Sequence, residues 1–207
     1  MNISYLVFKE ALAPFICFSV RDARKHFPNF DRKRLTEWRR KGYVEKVVRE
    51  YYVFADVLEE TSLWWFIANR VFEPSYISLH SALDYYGFIP EAVFQVTSIT
   101  TKRTRNFLTS AMSLKYRNIK RSCYYGFTLI PFGDMRYIRM AEPEKALVDL
   151  LYLESSIESD EDFEAWRFNK SLILESIKQS RMEQYAVLMN NQSFYQRYKR
   201  FQKWLYA

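Results

Sequence analysis

The N-terminal segment constrains the fold of this chain most, because clustered basic side chains there alternate with residues that start and stop short helices. Residues 1–55 contain twelve Lys and Arg residues and six acids, a net charge of +6, against +7 for all 207 residues. A positive surface of this density attracts polyanions and releases their counterions on contact. The sequence therefore favours nucleic acid as a partner.

The first of two short helices follows from its capping residues. Ser19 is a favourable N-cap for a helix over residues 20–26, and Asp22 stands where a capping box places its carboxylate. Pro28 and Asn29 interrupt the pattern directly afterwards. A helix of about two turns is therefore expected.

The second helix carries most of the basic side chains. Asp31 can cap a helix over residues 32–41, and Gly42 is the residue type expected after its last turn. Leu35 and Trp38 are three positions apart and should face the core. The opposite face then carries Lys33, Thr36, Glu37 and Arg40, flanked by Arg32, Arg34 and Lys41. We take this helix as the candidate recognition helix of a helix-turn-helix.

A hairpin is expected directly after this helix. Residues 43–48 and 51–57 are rich in β-formers and flank Arg49-Glu50, which suggests a wing although that pair is a poor turn. The candidate DNA-contacting residues are Arg32, Lys33, Arg34, Thr36, Arg40, Lys41, Lys46 and Arg49. The competing interpretation is a helical lobe with solvated charges.

The remainder predicts an α+β protein, with a winged helix-turn-helix over residues 1–57 and a second domain over residues 58–207. Helices are expected over 56–72, over 76–86 with Ser75 as the cap, and from Glu142 onwards. Between them, strands over 94–101, 113–119, 124–131 and 135–140 suggest an antiparallel meander. The last helix has an aromatic stripe, with Arg197, Lys199, Arg200 and Lys203 mostly outside it, which favours a docked helix over one that binds a partner or a membrane.

A second basic block lies over residues 92–139, with nine bases and one acid, Asp134. Its candidate surface consists of Lys102, Arg103, Arg105, Lys115 and Arg117, with Lys120 and Arg121 following. It is either a solvated sheet face or a second surface that contacts phosphate or a partner protein.

Catalysis has little support in the sequence. The two histidines, His26 and His80, form no triad, no His/Cys cluster has metal spacing, and the four glycines form no phosphate loop. We expect no enzyme, no metal and no cofactor. Cys17 and Cys123 form no paired motif, and no signal peptide or membrane span is evident, so we expect a reduced cytoplasmic protein.

Two stretches resemble a known family. Residues 74–87 (Pro-Ser-Tyr-Ile-Ser-Leu-His-Ser-Ala-Leu-Asp-Tyr-Tyr-Gly), then Val96-Thr97, and residues 141–147 (Ala-Glu-Pro-Glu-Lys-Ala-Leu) before Asp149-Leu150 follow its pattern in order and spacing. This pattern is similar to the antitoxin and transcriptional-regulator half of AbiE-type, type IV toxin–antitoxin systems of bacterial phage defence. The resemblance covers about residues 15–155 and does not extend to the segment after residue 155.

The resemblance implies a repressor that binds inverted repeats in its own promoter and counters a nucleotidyltransferase toxin, without necessarily forming a stable complex with it. Two alternatives stay open. One is a restriction-endonuclease-like or phosphotransfer enzyme, although Asp134 is the sole acid of the strand region, and Glu144 and Lys145 are expected to cap a helix or form a structural ion pair. The other is a protein-interaction module without catalysis.

Overall fold

The fold of the N-terminal lobe, residues 3–57, is a small helical bundle closed by a three-stranded sheet. The computed structural model describes residues 3–57, 61–90, 94–133 and 136–207. The lobe contains α1 (Tyr5–Leu12), β1 (Cys17–Ser19), α2 (Val20–His26), α3 (Lys33–Arg40), β2 (Val44–Val48) and β3 (Tyr51–Phe54). The three strands pair antiparallel in the order β1-β3-β2. This helix-turn-helix-like order agrees with the predicted helix pair and hairpin.

Local capping fixes the start of α2 as predicted. The Ser19 N–H donates to the Asp22 carboxylate at 3.0 Å, and the Asp22 N–H donates to the Ser19 hydroxyl at 3.1 Å. These two bonds satisfy donors that a helix start otherwise leaves unpaired. At the end of α3, Gly42 has a φ of +70°, a conformation that glycine adopts without strain.

A separate apolar core holds the N-terminal lobe together. Its centre is Phe8 of α1, whose ring lies 4.6 Å from that of Trp38 and 4.9 Å from that of Phe30, measured between centroids. The helix α1 was not predicted from the apolar run before Ser19. It forms because Phe8 and Leu12 share one helical face and are fully buried.

The second lobe, the described residues from 61 onwards, surrounds a larger sheet with helices. Its elements are α4 (Thr61–Val71), β4 (Ser75–Ile77), α5 (His80–Tyr85), β5 (Gln95–Thr100), β6 (Arg105–Leu108), β7 (Ser113–Asn118), β8 (Phe127–Pro131), β9 (Tyr137–Ala141), α6 (Pro143–Leu153), α7 (Asp160–Ala165), α8 (Lys170–Ser176), α9 (Gln179–Leu188) and α10 (Gln192–Leu205). The α+β class is confirmed. The beginning of the strand expected over 135–140 lies outside the described residues.

The predicted helix over residues 76–86 is wrong in its first half. Ser75–Ile77 is instead the strand β4, which pairs with β5 on one side and β9 on the other. The helix begins only at His80, after Leu79 adopts a φ of +54°. Pairing inside the sheet satisfies the backbone of β4 more completely than a helix start would.

The antiparallel meander is also wrong, because the sheet is mixed. Its described strands follow the order β6-β7-β5-β4-β9-β8. The pairs β5–β7 and β4–β9 are parallel, and the pairs β4–β5, β6–β7 and β8–β9 are antiparallel. The strand β6 was not predicted, since its exposed residues show little apolar alternation.

The C-terminal helix α10 is docked, as its aromatic stripe predicted. Phe194, Tyr198 and Phe201 are buried in the larger core. The expectation that Arg197 lies mostly outside the stripe is wrong: its side chain is 6% exposed and donates to the Leu151 carbonyl at 2.6 Å. This hydrogen bond offsets part of the free-energy cost of burying the guanidinium.

The two lobes share packing and an ion pair. Cys17, Val47 and Val53 belong to the larger core rather than to the core of the N-terminal lobe. Arg70 of α4 lies 3.4 Å from the Asp22 carboxylate at the start of α2. Among the described residues, no helix is long and apolar enough to cross a bilayer.

Candidate nucleic-acid interface

The exposed face of α3 is the centre of the candidate interface. Leu35 and Trp38 are buried against the N-terminal core, as their spacing predicted. Lys33, Thr36 and Arg40 are exposed on the other side of the helix. The Asp31 carboxylate accepts a hydrogen bond from the Lys33 N–H at 2.9 Å, which fixes the chain where it enters the helix.

Basic residues also crowd the end of α3. Arg39 and Arg40 occupy the last turn, and Lys41 follows it, all exposed. Cations interact favourably with the partial negative charge at a helix C-terminus, so this position stabilises the cluster. Arg40 and Lys41, both predicted site residues, therefore lie at one end of the exposed face and Lys33 at the other.

Arg34, also a predicted site residue, makes three contacts within the N-terminal lobe. Its guanidinium donates to the Ile3 carbonyl at 2.7 Å, pairs with Glu37 at 3.3 Å and lies 5.2 Å above the Trp38 ring. These contacts hold the side chain against the N-terminal lobe. The guanidinium also offsets the charge of the carboxylate that Glu37 presents on the outer face, and a contact of Arg34 with DNA stays a prediction.

The β2–β3 hairpin lies beside the start of α3. The Arg32 guanidinium donates to the Arg49 carbonyl at 3.4 Å and so links the helix to the hairpin turn. Arg49 itself is exposed in that turn, whereas Lys46 is half-buried within β2, opposite the buried Tyr52 of β3. The hairpin thus presents Arg49 more openly than Lys46.

Two further arginines complete a basic pocket that the candidate residues did not include. Arg21 and Arg24 of α2 line a pocket of about 320 Å³ together with Arg32 and Glu50. Three arginines and one glutamate are thus among its lining residues, a charge balance that suits a phosphate oxygen. The signal was present in the sequence, because Arg21 and Arg24 lie three apart on one face of α2.

The second basic surface is divided by the sheet. Arg105 pairs in register with Tyr116, whose hydroxyl donates to the Ala68 carbonyl in α4 at 2.8 Å. Side chains alternate along β7, so Lys115 and Arg117 lie on the other face. Accordingly, Arg117 forms a 2.6 Å ion pair with Glu154 at the end of α6.

The remaining members of the second basic surface lie near the end of α4. Lys102 and Arg105 lie 5.2 and 6.0 Å from the centre of the Phe72 ring, and Arg103 is exposed. Lys120 and Arg121 are exposed beyond β7. The fold therefore does not bring the five predicted residues to one surface, although Lys102, Arg103 and Arg105 share one edge.

The side chains considered for catalysis are used in packing. The His26 ring lies 5.5 Å from Phe15, and the His80 ring lies 5.0 Å from Trp166. Glu144 accepts a hydrogen bond from the Lys178 N–H at 2.8 Å, ahead of α9, and Lys145 forms a buried ion pair with Asp149. Asp134 lies outside the described residues, and within those residues no cluster of His, Cys, Asp and Glu could hold a metal ion.

Comparison with known proteins adds evidence on the fold. No protein-family model matches the chain, and no curated protein matches it. The chain is similar in structure to the RV2827C protein from Mycobacterium tuberculosis, a crystal structure, with a TM-score of 0.58 and 14% sequence identity. The similarity covers 95% of this chain and 75% of that protein, so it extends over both lobes.

Proposed function

We propose that this chain is a DNA-binding transcriptional repressor in which α3 enters the major groove. The observation that carries the proposal is the exposed face of α3, with Lys33, Thr36 and Arg40, lying beside the basic pocket on α2. A recognition helix contacts base edges mainly through residues near its start, while neighbouring elements contact the backbone. The combination of an exposed helix face, a hairpin and a basic pocket supports this arrangement.

The side chains divide into two roles. Lys33, Thr36 and Arg40 are assigned to base edges, since Lys and Arg donate to guanine and Thr can contact several bases. The phosphate contacts are assigned to Arg21, Arg24, Arg32, Lys41, Lys46 and Arg49. Phosphate contacts fix the register of the protein on the duplex and carry no sequence information directly.

A titration of the full chain with its own promoter fragment tests the proposal. The logarithm of the association constant should fall linearly with the logarithm of salt concentration, by about 0.9 for each phosphate neutralised. The promoter should bind about 10³-fold or more tightly than a scrambled fragment of equal length. Equal affinity for both fragments would reduce the proposal to non-specific binding, and absence of binding at low salt would overturn it.

The operator is proposed to be an inverted repeat in the chain's own promoter. Two copies of the protein would then read two half-sites about 34–36 Å apart or at a multiple of that spacing. Footprinting should show two protected segments related by two-fold symmetry. The same reactions with Mg²⁺ added should leave the DNA uncut, whereas cleavage would favour the alternative of a nuclease-like enzyme.

Antitoxin activity is the second candidate function, and it rests on the two sequence motifs. Tyr76, Ser81 and Lys145 from those motifs are all buried, so the likeness concerns packing positions more than an exposed site. On this proposal the chain counters a nucleotidyltransferase toxin encoded beside it, in the cytoplasm and without needing a stable complex. The two free, buried cysteines are consistent with a cytoplasmic location, because the cytoplasm keeps thiols reduced.

Co-expression with the neighbouring nucleotidyltransferase tests the antitoxin proposal. The full chain should relieve growth arrest, and a fragment of about residues 60–207 should do so without binding the promoter. Replacing Lys102, Arg103 and Arg105 by Glu should weaken rescue and spare repression. Loss of promoter binding with intact rescue would instead make this edge part of the DNA interface.

A further inference from the structure

The strand β6 forms one edge of the larger sheet, and the alternation of its hydrogen bonds shows which residues face outward. The Thr109 N–H donates to the Met112 carbonyl at 3.0 Å, and this pair closes the β6–β7 hairpin. Hydrogen-bonded and non-hydrogen-bonded pairs alternate along antiparallel strands, so Phe107 bonds to β7. Asn106 and Leu108 therefore direct their backbone N–H and C=O groups away from the sheet.

The outer side of β6 is open to a further strand. Asn106 is exposed, and the Leu108 side chain is 86% exposed. Within the described part of the chain, no hydrogen bond engages the outward backbone groups of these two residues. Each of them supplies one donor and one acceptor, so an extended segment of another protein can add to this edge through its backbone.

The opposite edge of the sheet, β8, is less suited to such pairing. The Phe132 N–H donates to the Arg136 carbonyl at 2.9 Å, so the same alternation places Pro131 in an outward position. Proline has no N–H and interrupts pairing on the free side of an edge strand. The strand β6 contains no proline, and its register with β7 is continuous over Arg105–Leu108. Of the two edges, β6 is therefore the better acceptor.

Positive charge beside β6 restricts the kind of strand that can pair there. Lys102, Arg103 and Arg105 are exposed. Among the described residues, the cations of Lys102 and Arg105 lie over aromatic rings, with Phe72 at 5.2 and 6.0 Å, and not against a carboxylate. Cations along an edge disfavour an incoming basic strand, whereas opposite charges on neighbouring strands attract. The charge of this edge therefore complements an acidic segment.

We propose that β6 accepts an extended acidic segment of a partner protein as an added, antiparallel strand. The backbone of that segment pairs with Asn106 and Leu108. Its first residues are apolar and cover Leu108, and its carboxylates follow at the positions beside Arg105 and Arg103. The inference concerns the second lobe alone and does not depend on DNA binding by α3.

A synthetic peptide, acetyl-Thr-Val-Thr-Val-Glu-Glu-Glu-amide, tests the pairing with the full chain. Titration followed by backbone amide resonances should give a Kd of about 0.1–1 mM. Hydrogen exchange at the Asn106 and Leu108 N–H groups should slow at least about tenfold in the complex, whereas the Phe107 N–H, already bonded to β7, should change little. Unchanged exchange at Asn106 and Leu108 in the saturated complex, or no binding at about 5 mM peptide, would overturn the proposal.

Two modified peptides and a DNA duplex separate strand addition from attraction between charges. Methylation of the two Val amide nitrogens keeps every carboxylate but removes the donors that face β6, so it should abolish binding. Replacement of the three Glu residues by Lys should abolish it as well. Equal binding of either modified peptide would contradict strand addition by an acidic segment. Displacement of the original peptide by a random duplex, with amide shifts at Arg103 and Arg105, would assign the edge to nucleic acid instead.

Variants of the chain test the same assignment from the protein side. Asn106→Pro removes an outward N–H and leaves the ladder with β7 intact, so peptide affinity should fall at least about tenfold with little change in melting temperature. Arg103→Glu with Arg105→Glu should lose the acidic peptide and bind the Lys peptide. Lys178→Glu with Lys203→Glu makes the same change of charge at exposed positions of other elements and is the control. Wild-type affinity in folded Asn106→Pro, or equal losses in the two charge variants, would overturn the proposal.

Discussion

Lys145 and Asp149 form an ion pair one turn apart on α6, with both side chains fully buried. Lys145 Nζ also donates to the Tyr76 hydroxyl at 2.9 Å. The Tyr76 and Ser78 hydroxyls in turn donate to Asp149 at 2.9 and 2.8 Å. Burial raises the pKa of Tyr76 well above its ordinary value, and the Asp149 charge adds to this, so the phenol remains a donor. The cluster links α6 to the centre of the sheet.

The buried pair should matter for stability once one partner is removed. Lys145→Met leaves the Asp149 carboxylate uncompensated in the core and should lower the free energy of unfolding by about 3–5 kcal/mol. Urea denaturation measures this loss. The matched control is Lys9→Met, which removes the exposed Lys9–Asp56 pair and should change stability far less. Equal losses in both variants would contradict the structural role of the cluster.

The recognition face should control affinity for the promoter. Lys33→Ala and Arg40→Ala together should weaken promoter binding by about 1–3 kcal/mol for each base that α3 no longer reads, with an unchanged melting temperature. Lys120→Ala with Arg121→Ala removes the same charge from an exposed site beyond β7 and is the control. Promoter affinity and salt slope that match the wild type would exclude this face from the interface.

The pocket on α2 should control the salt dependence instead of sequence preference. Arg21→Ala with Arg24→Ala should reduce the salt slope by about 1.8, since each phosphate contact contributes about 0.9. The loss should be equal for promoter and scrambled DNA. Glu50→Gln removes the carboxylate from the same pocket and should strengthen binding to both. A selective loss of promoter binding in the arginine variant would mean that these side chains reach bases.

Acid should weaken the junction between the lobes. Burial raises the pKa of Asp22, but the hydrogen bonds from Ser19 and the charges of Arg70 and Lys25 outweigh it and hold the pKa below 3.8. Asp22 therefore contributes its full stabilisation at pH values above the pKa that it has in the unfolded chain. This stabilisation is lost as the pH falls through the lower pKa that Asp22 has in the folded chain.

Urea midpoints at about pH 6 and about pH 3 measure this effect. The wild type should lose more stability between the two pH values than Asp22→Asn, which carries no titrating group at that position. If Asp22→Asn lost more stability than the wild type between these pH values, other carboxylates would dominate the effect of acid on stability.

The elements whose stabilising contacts are local could be predicted from the residue order alone. Ser19 and Asp22 are three residues apart, so their capping box required no knowledge of the rest of the chain. Leu35 and Trp38 set the buried face of α3, and with it the exposed position of Lys33 and Arg40. The candidate interface could be predicted to this extent because helical periodicity alone decides which side chains share a face.

The pairing of distant segments could not be predicted from local patterns. Ser75–Ile77 resembles a helix start in sequence, but it forms a strand because β5 and β9 provide backbone hydrogen-bond partners. In addition, the Asp149 carboxylate accepts a hydrogen bond from the Tyr76 hydroxyl, 73 residues away in the chain. The strand β6 likewise depends on a distant partner, because it forms by antiparallel pairing with β7.

Individual site residues depended on the same long-range contacts. Arg34 is held by the Ile3 carbonyl, and Arg117 by Glu154, so neither behaves as the solvated cation that its local sequence suggests. The orientation of the Asn69 amide likewise depends on the Arg139 N–H, 70 residues away, which donates to its Oδ1. The periodicity of a helix or strand decides on which of its faces a side chain lies. The groups that contact this side chain come from distant segments, so they are set only when the whole chain has packed.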